Sequence, residues 1–397
     1  MDITIYPGKL RGTVTAIPSK SQAHRLLICA AFADAPTTLV CPQTNEDIEA
    51  TARCLNALGA DIQHTEEGYQ VNPVKGLANC AILDCGESGS TLRFLLPVVC
   101  ALGVSATFHL HGRLPYRPLS PLWEELERMG CTLTRPTEDT IQTSGKLKPG
   151  HFTIAGNVSS QFISGLLFAT ALMEGASTIE ISGTLESKPY VDMTVGALRR
   201  FGVRAEGFSI CGSYPFHSPT AISVEGDWSN GAFFVVANAL GSKIQIKNLC
   251  ADSPQGDKVI TELVNKDRAE ELSVADFPDL VPILAVYYGA KGGATFNDIA
   301  RLRLKESDRV ATVIDMLQQL GASASATENT LTICPGNYRG CTIDAAGDHR
   351  IAMAAAVAAT VATGPVTIRG AECVNKSYPA FWQVYKELGG QHEQYLR

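Results

Sequence analysis

Charge is scarce in this chain. Only 18% of its 397 residues are Asp, Glu, Lys or Arg, and the formal balance is −7. A general nucleic-acid binder carries a basic excess, so this balance runs against that class. It leaves room for a local cationic cluster that holds a small anion. Other signatures are missing too. No P-loop, dinucleotide fingerprint or Cys/His metal-ligand spacing occurs, so neither metal nor cofactor is expected. The twelve cysteines contain no C-x-x-C pair, and Cys29, Cys54 and Cys100 sit in apolar runs. A free thiol there behaves as a small hydrophobe. Reduced thiols and a soluble, cytoplasmic setting are the expectation. The opening MDITIYPGKLRG alternates like a strand and has no basic-then-apolar leader. The most apolar helix-like run, residues 351–361, is far shorter than the roughly 20 residues a bilayer requires. With no long low-complexity linker and 45% hydrophobic residues, the chain reads as folded, with ample core.

What is present is one pattern written six times. Apolar helix-like runs begin near Ser21, Ser90, Ser159, Trp228, Phe277 and His349, the first four spaced 69 residues apart. A small-residue turn and a strand-like segment follow each run: PTTLVC, SATFHLHG, STIEISG, SKIQIKNL, GATFNDI and GPVTIRG. Most copies continue into a second helix that ends in a bulky residue and Gly, at Gly59, Gly130, Gly202, Gly321 and Gly389. Glycine suits a helix C-terminus because the residue there commonly turns left-handed. Polar–apolar alternation such as GADIQHTEEGYQVNPV then predicts a hairpin. The fourth copy lacks the Gly pair and is about 20 residues short, so its hairpin is expected to be missing. Six α/β units suggest two pseudo-symmetric lobes of three, with a crossover near residues 223–226. The strand over residues 2–6 could pair with either lobe.

Polar residues gather where the long helices start: Ser19-Lys20-Ser21, Ser88-Gly89-Ser90, Ser159-Ser160-Gln161, Asp227-Trp228-Ser229, Asp276-Phe277-Pro278-Asp279 and Asp348-His349-Arg350. Unpaired N–H groups and the helix dipole suit phosphate or carboxylate at such a place. Simple capping by Ser or Asp explains any single one equally well. Capping requires neither Lys20 nor Gly89, which lets a ligand approach the backbone. Basic residues collect near the same points: Arg25, Arg93, Arg117, Lys305, Arg309, Arg350 and Lys376. Arginine forks suit carboxylate and phosphate, whereas lysine is a compact charge. Asp279, Glu306 and Asp308 are the acidic candidates; Asp279 reads either as a cap or as a proton acceptor.

Ten segments then fall in a recognisable order: IPSKSQAHR, ESGSTLR, YRP, NVSSQFISG, SKPY, EGDWS, DFPD, RLKESDR, GDHRIAM and NKSYPAFW. Over its whole length the chain resembles the 5-enolpyruvylshikimate-3-phosphate (EPSP) synthase family of enolpyruvyl transferases. The resemblance implies an inside-out α/β barrel fold with two lobes of three βαβαββ units. One lobe would comprise residues 1–18 with 226–397 and the other residues 19–225, with the active site in the cleft between lobes. It implies transfer of the enolpyruvyl group of phosphoenolpyruvate to the 5-hydroxyl of shikimate 3-phosphate, without metal; a monomer is expected. No nucleic-acid or membrane partner is expected. By motif match, Lys20, Ser21, Arg25, Ser159, Ser160, Gln161, Ser187, Tyr190, Asp279 and Lys305 would contact the acceptor. Lys20, Gly89, Arg117, Gln161, Arg309, Arg350 and Lys376 would contact the donor. Asp279 would take the hydroxyl proton, Glu306 would protonate the methylene carbon, and Lys20 would assist both substrates.

Two positions depart from the family pattern: Glu87 and Arg301 stand where Asn is common. UDP-N-acetylglucosamine enolpyruvyl transferase shares the implied fold and donor, but its reactive loop Cys has no counterpart between Ala101 and Gly130. An RNA 3′-phosphate cyclase-like protein would call for basic grooves, against the acidic balance.

Overall fold

The structure is a computed structural model that describes residues 1–212 and 215–395. The chain divides into two compact units, an inserted one of residues 18–224 and a discontinuous one of residues 1–17 and 225–397. Strands β1 (Asp2–Tyr6) and β2 (Arg11–Thr15) precede the insertion. The first inserted repeat runs α1 (Lys20–Ala31), β3 (Thr37–Val40), α2 (Glu46–Ala57), β4 (Asp61–Thr65) and β5 (Gly68–Asn72). The second runs β6 (Cys80–Asp84), α3 (Gly89–Leu102), β7 (Ser105–His109), α4 (Leu122–Arg128), β8 (Cys131–Thr137) and β9 (Thr140–Gly145). The third runs β10 (His151–Ala155), α5 (Ser160–Leu172), β11 (Ala176–Ser182), α6 (Lys188–Arg200), β12 (Ala205–Glu206) and β13 (Ser209–Cys211). Strand β14 (Ala221–Ser223) closes the insertion.

The discontinuous unit resumes with α7 (Trp228–Ala239), β15 (Lys243–Lys247) and α8 (Ile260–Leu263). Its next repeat is β16 (Ala269–Ser273), α9 (Val281–Gly289), β17 (Ala294–Asn297), α10 (Arg309–Leu320), β18 (Ser323–Ala326) and β19 (Thr330–Cys334). The last is β20 (Cys341–Asp344), α11 (His349–Ala359), β21 (Val366–Arg369), α12 (Phe381–Glu387) and β22 (Gln391–Tyr395).

Three sheets share one strand pattern: β6-β7-β9-β8, β10-β11-β13-β12 and β16-β17-β19-β18. In each, the first two strands are parallel, which requires the crossover that the long helix provides. The sheets β14-β3-β5-β4 and β20-β21-β1-β22 repeat that order with strands from elsewhere in the chain. Strand β14, from the end of the insertion, opens the repeat of α1; β1 takes the third place in the sheet of α11's repeat, between β21 and β22. The N-terminal strand therefore belongs to the discontinuous unit. Strand β2 likewise opens the repeat of α7, pairing with β15 in a sheet of only two strands. The expected hairpin is absent from that fourth repeat. All five bulky–Gly pairs carry positive φ at the glycine, from 80° at Gly202 to 109° at Gly59.

Each unit has its own apolar core. Helices α9 and α11 are buried along every residue, as their all-round apolarity predicts. In the inserted unit, α5 passes so close to α3 that a Cβ on Gly165 would collide with the Arg93 carbonyl. That approach fixes the start of α5 beside the start of α3. The cysteines whose side chains are described are free thiols. No helix among the described residues is long and apolar enough to cross a membrane.

Candidate active site

Five of the six long helices begin with a side-chain cap. Ser19 accepts from the Gln22 N–H, Ser88 from Thr91, Ser159 from Gln161, Asp227 from Asn230 and Asp348 from Arg350. The sixth does not: Asp279 lies in a 3₁₀ turn (Pro278–Leu280) ahead of α9, which has no side-chain cap. The capping alternative fails at that position. Its carboxylate meets cations instead.

In the discontinuous unit those cations come from three segments. Arg309, the first residue of α10, is 1% exposed and spreads its guanidinium over three carboxylates. Its Nη1 reaches Asp279 Oδ1 and its Nη2 reaches Glu306 Oε2, each at 2.6 Å, while Nε donates to Asp348 Oδ2 at 2.8 Å. Arg350 Nη2 donates to Asp279 Oδ2 at 3.1 Å, and Lys305 Nζ stands 3.9 Å from Oδ1. Asp348 is fully buried and fixes both arginines, since its other oxygen caps α11 at the Arg350 N–H and Ser307 adds a bond at 3.0 Å. Lys376, at the end of a 3₁₀ turn, donates to the Gly347 carbonyl at 3.2 Å, next to this cap.

Burial alone would raise the Asp279 carboxyl, but Arg350, Lys305 and Arg309 outweigh it and hold it well below the usual carboxylate range. Burial lowers Lys305 to about 8, against the opposing pull of Asp279. Arg309 goes the other way: burial disfavours its charge, yet Asp348, Glu306 and Asp279 together raise it above its ordinary value.

In the inserted unit, Lys20 Nζ pairs with Asp47 Oδ2 at 2.8 Å. Buried Arg25 ties α1 to two other helices: Nε donates to Thr194 Oγ1 and Nη2 to the Tyr190 carbonyl, both at 2.8 Å, with Ser164 Oγ at 3.4 Å. Its Nη1 also donates to the Ser21 carbonyl. Gln161 Nε2 reaches Ser90 Oγ at 2.9 Å, linking the starts of α5 and α3. Ser160 follows the Ser159 cap and is buried. Ser187 is buried in left-handed backbone at φ 55°, a conformation that costs a non-glycine residue strain of the kind that clusters at binding sites. Arg93 and Arg117 converge on Gly89; the Nη1 of each lies 2.7 Å from where a Cβ would stand. A Gly89→Ala methyl would displace both guanidiniums. Steady-state kinetics should show the KM of the ligand they hold rising about tenfold, a loss of roughly 1.4 kcal/mol; an unchanged KM would mean that the two arginines yield freely.

The EPSP synthase model, described as 3-phosphoshikimate 1-carboxyvinyltransferase, matches residues 5–267 and 257–385. The protein of that name in Clostridium kluyveri is 38% identical, over 99% of this chain and 98% of that one. The chain belongs to the EPSP synthase family. The Clostridium novyi relative of the same name is 37% identical over 98% of both. EPSP synthase from Acinetobacter baumannii superposes with a TM-score of 0.80 at 24% identity, over 99% of this chain and 100% of that one. The enolpyruvyl transferase NikO from Streptomyces tendae gives 0.74 at 19% identity, over 99% and 98%. At those identities the two structures speak for the fold, and the inside-out α/β architecture that the resemblance implies is borne out.

Against the EPSP synthase pattern, the Glu87 carboxyl lies against Gly112, where any Cβ would collide with it. Arg301 donates to the Ala275 carbonyl at 2.8 Å from a 3₁₀ turn (Ala300–Leu304). Sequence reasoning passed over Asp47, Thr194, Ser164, Ser307 and the second role of Asp348. Asp348 sits at the cap position that is Ser in three sister repeats, and a carboxylate there was the one visible signal.

Proposed function

We propose that this chain transfers the enolpyruvyl group of phosphoenolpyruvate to the 5-hydroxyl of shikimate 3-phosphate, releasing phosphate. Membership of the family supports the reaction. The observation that carries the residue assignment is the Asp279 carboxylate clasped by Arg309, Arg350 and Lys305 beside Glu306. In this reading Arg309, Arg350 and Lys376, with Gly89, Arg117, Gln161 and Lys20, bind the donor's phosphate and carboxylate. Arg25, Ser21, Ser159, Ser160, Gln161, Ser187, Tyr190, Lys20 and Lys305 hold the acceptor. Its phosphate suits the N–H groups at the start of α5.

Glu306, which takes up a proton from solvent once the donor's phosphate draws Arg309 away from it, gives that proton to the donor's methylene carbon, placing positive character on carbon 2. The acceptor oxygen attacks that carbon as Asp279 takes the hydroxyl proton. In the tetrahedral adduct, Glu306 takes back a proton from the new methyl group, phosphate leaves, and the Asp279 proton departs with it. Fixed guanidiniums stabilise the leaving phosphate, a preorganised electrostatic contribution that removes any need for solvent to reorient. Holding two anions in register accounts for much of the rate.

Shikimate 3-phosphate should trigger phosphate release from phosphoenolpyruvate in a coupled assay. Release with UDP-N-acetylglucosamine in its place, and none with shikimate 3-phosphate, would overturn the assignment. Lys305 adds a pH signature. It binds the anionic acceptor only as the cation, so kcat/KM for shikimate 3-phosphate should fall as pH rises through about 8. The Lys305→Gln variant should lack that limb; if the limb persists, another group is responsible.

A further inference from the structure

We infer that His24 is a positioning residue for the donor half of the site, acting through a buried chain of hydroxyls formed by Thr51, Thr91 and Ser88. The inference rests on the reading above, in which Gly89 and Arg117 belong to the donor.

His24 lies on α1 between Lys20 and Arg25 and is fully buried, with the Phe94 ring edge-on to it. Its Nδ1 is 2.7 Å from Thr51 Oγ1 on α2. Thr51 Oγ1 is 2.7 Å from Thr91 Oγ1 on α3, and Thr91 Oγ1 donates to Ser88 Oγ at 2.7 Å. All three hydroxyl residues are buried. Three helices are thus tied together by one line of short bonds.

The line has a direction. His24 Nε2 is buried with no hydrogen-bond partner among the described residues. An orphaned N–H costs more than an under-used acceptor, so the proton belongs on Nδ1 and is donated to Thr51. Burial, with Lys20 and Arg25 nearby, keeps the imidazole neutral. Thr51, having accepted from His24, donates to Thr91, and Thr91 donates to Ser88. Ser88 accepts from both the Thr91 hydroxyl and the Thr91 N–H, the second being the cap of α3. The imidazole therefore orients the hydroxyl that fixes the first turn of α3, where Gly89 meets Arg93 and Arg117. The hydrogen bonds of Arg25 to other helices go to Thr194, Ser164 and Tyr190, none of them in this line, and its link to the His24 surroundings is the Phe94 ring, 4.9 Å beneath its guanidinium.

A purely structural histidine would, when removed, lower stability and disturb both substrates alike. The positioning role predicts a split instead. His24→Leu should raise the phosphoenolpyruvate KM about tenfold and leave the shikimate 3-phosphate KM within about twofold, because small misplacement of positioning groups is costly at the group misplaced. His24→Asn, whose amide N–H can replace Nδ1–H, should restore most of the loss. Thr51→Val interrupts the line while keeping the imidazole and serves if His24→Leu fails to fold. The double variant should be no worse than either single one, since residues in one network are not additive. Both KM values moving together, neither moving, or fully additive effects would overturn the inference. An enzyme with no turnover of this substrate pair would instead remove the functional reading on which it rests.

Discussion

Asp279→Asn should lose turnover by about 10³-fold, within the range that general acid–base groups contribute, while binding phosphoenolpyruvate more tightly than the parent. The first half follows from the proposed role, because an amide accepts no proton from the attacking hydroxyl. The second follows from the geometry. Asp279 is the counter-ion of Arg309 and Arg350, bonded to them at 2.6 and 3.1 Å. A donor that binds those guanidiniums must displace it or share them with it. Charge-assisted bonds are about twice as strong as neutral ones, so an amide competes less. As the donor draws the arginines off, Asp279 loses the charges that depress its pKa and becomes a better base. Donor arrival and base activation are then one event. Calorimetric titration of the variant with phosphoenolpyruvate, alongside rapid-quench turnover, checks both halves. Near-normal turnover would remove Asp279 as the base, and weaker donor binding would remove it as the counter-ion.

Arg309→Met should cost roughly 3–5 kcal/mol of stability, the range for removing one partner of a buried ion pair. The side chain is 1% exposed and contacts Asp279, Glu306 and Asp348; its loss leaves three carboxylates facing one another without their shared cation. Arg309→Lys should recover little, because an ammonium lacks the fork that reaches all three. The sign of the pH response identifies the cause. In the parent, Arg309 and its neighbours depress Asp279 and Asp348. Their stabilisation is present above the unfolded carboxyl value near 3.9 and is lost as pH falls below it. In Arg309→Met, burial raises Asp348, which loses its main cation, while Asp279 keeps Arg350 and Lys305; the folded state therefore takes up a proton at Asp348 first. The variant should therefore gain stability as pH drops from 7 toward about 5, where the parent stays flat. Urea unfolding followed at several pH values measures this. A variant deficit that does not shrink in acid would point to lost packing of the arginine stem.

The repeat was legible in the sequence because it is local. Caps and the glycines after the second helices recur at fixed offsets, so Gly59, Gly130, Gly202, Gly321 and Gly389 mark helix ends without reference to anything distant. The missing hairpin of the fourth repeat was legible as missing residues. Asp279 was ambiguous because a carboxylate before an apolar run looks like a cap whether or not it caps. The partners that define the chemistry lie far away in sequence: Asp47 is 27 residues from Lys20, Thr194 is 169 from Arg25, and Asp348 is 39 from Arg309. Alternation likewise marks a strand but not its neighbour, so the places of β1, β2 and β14 had to come from the structure.

Those exchanged strands give the nascent chain a timetable. The inserted unit closes on itself once β14 reaches β3, with nothing further needed from downstream. The two strands ahead of the insertion can only wait: β2 for β15, more than 220 residues later, and β1 for β21, more than 350 residues later. At synthesis rates of about 5–20 residues per second that delay is on the order of 20–70 s. Throughout it, the exposed edges of the earliest strands must be kept from pairing with anything else.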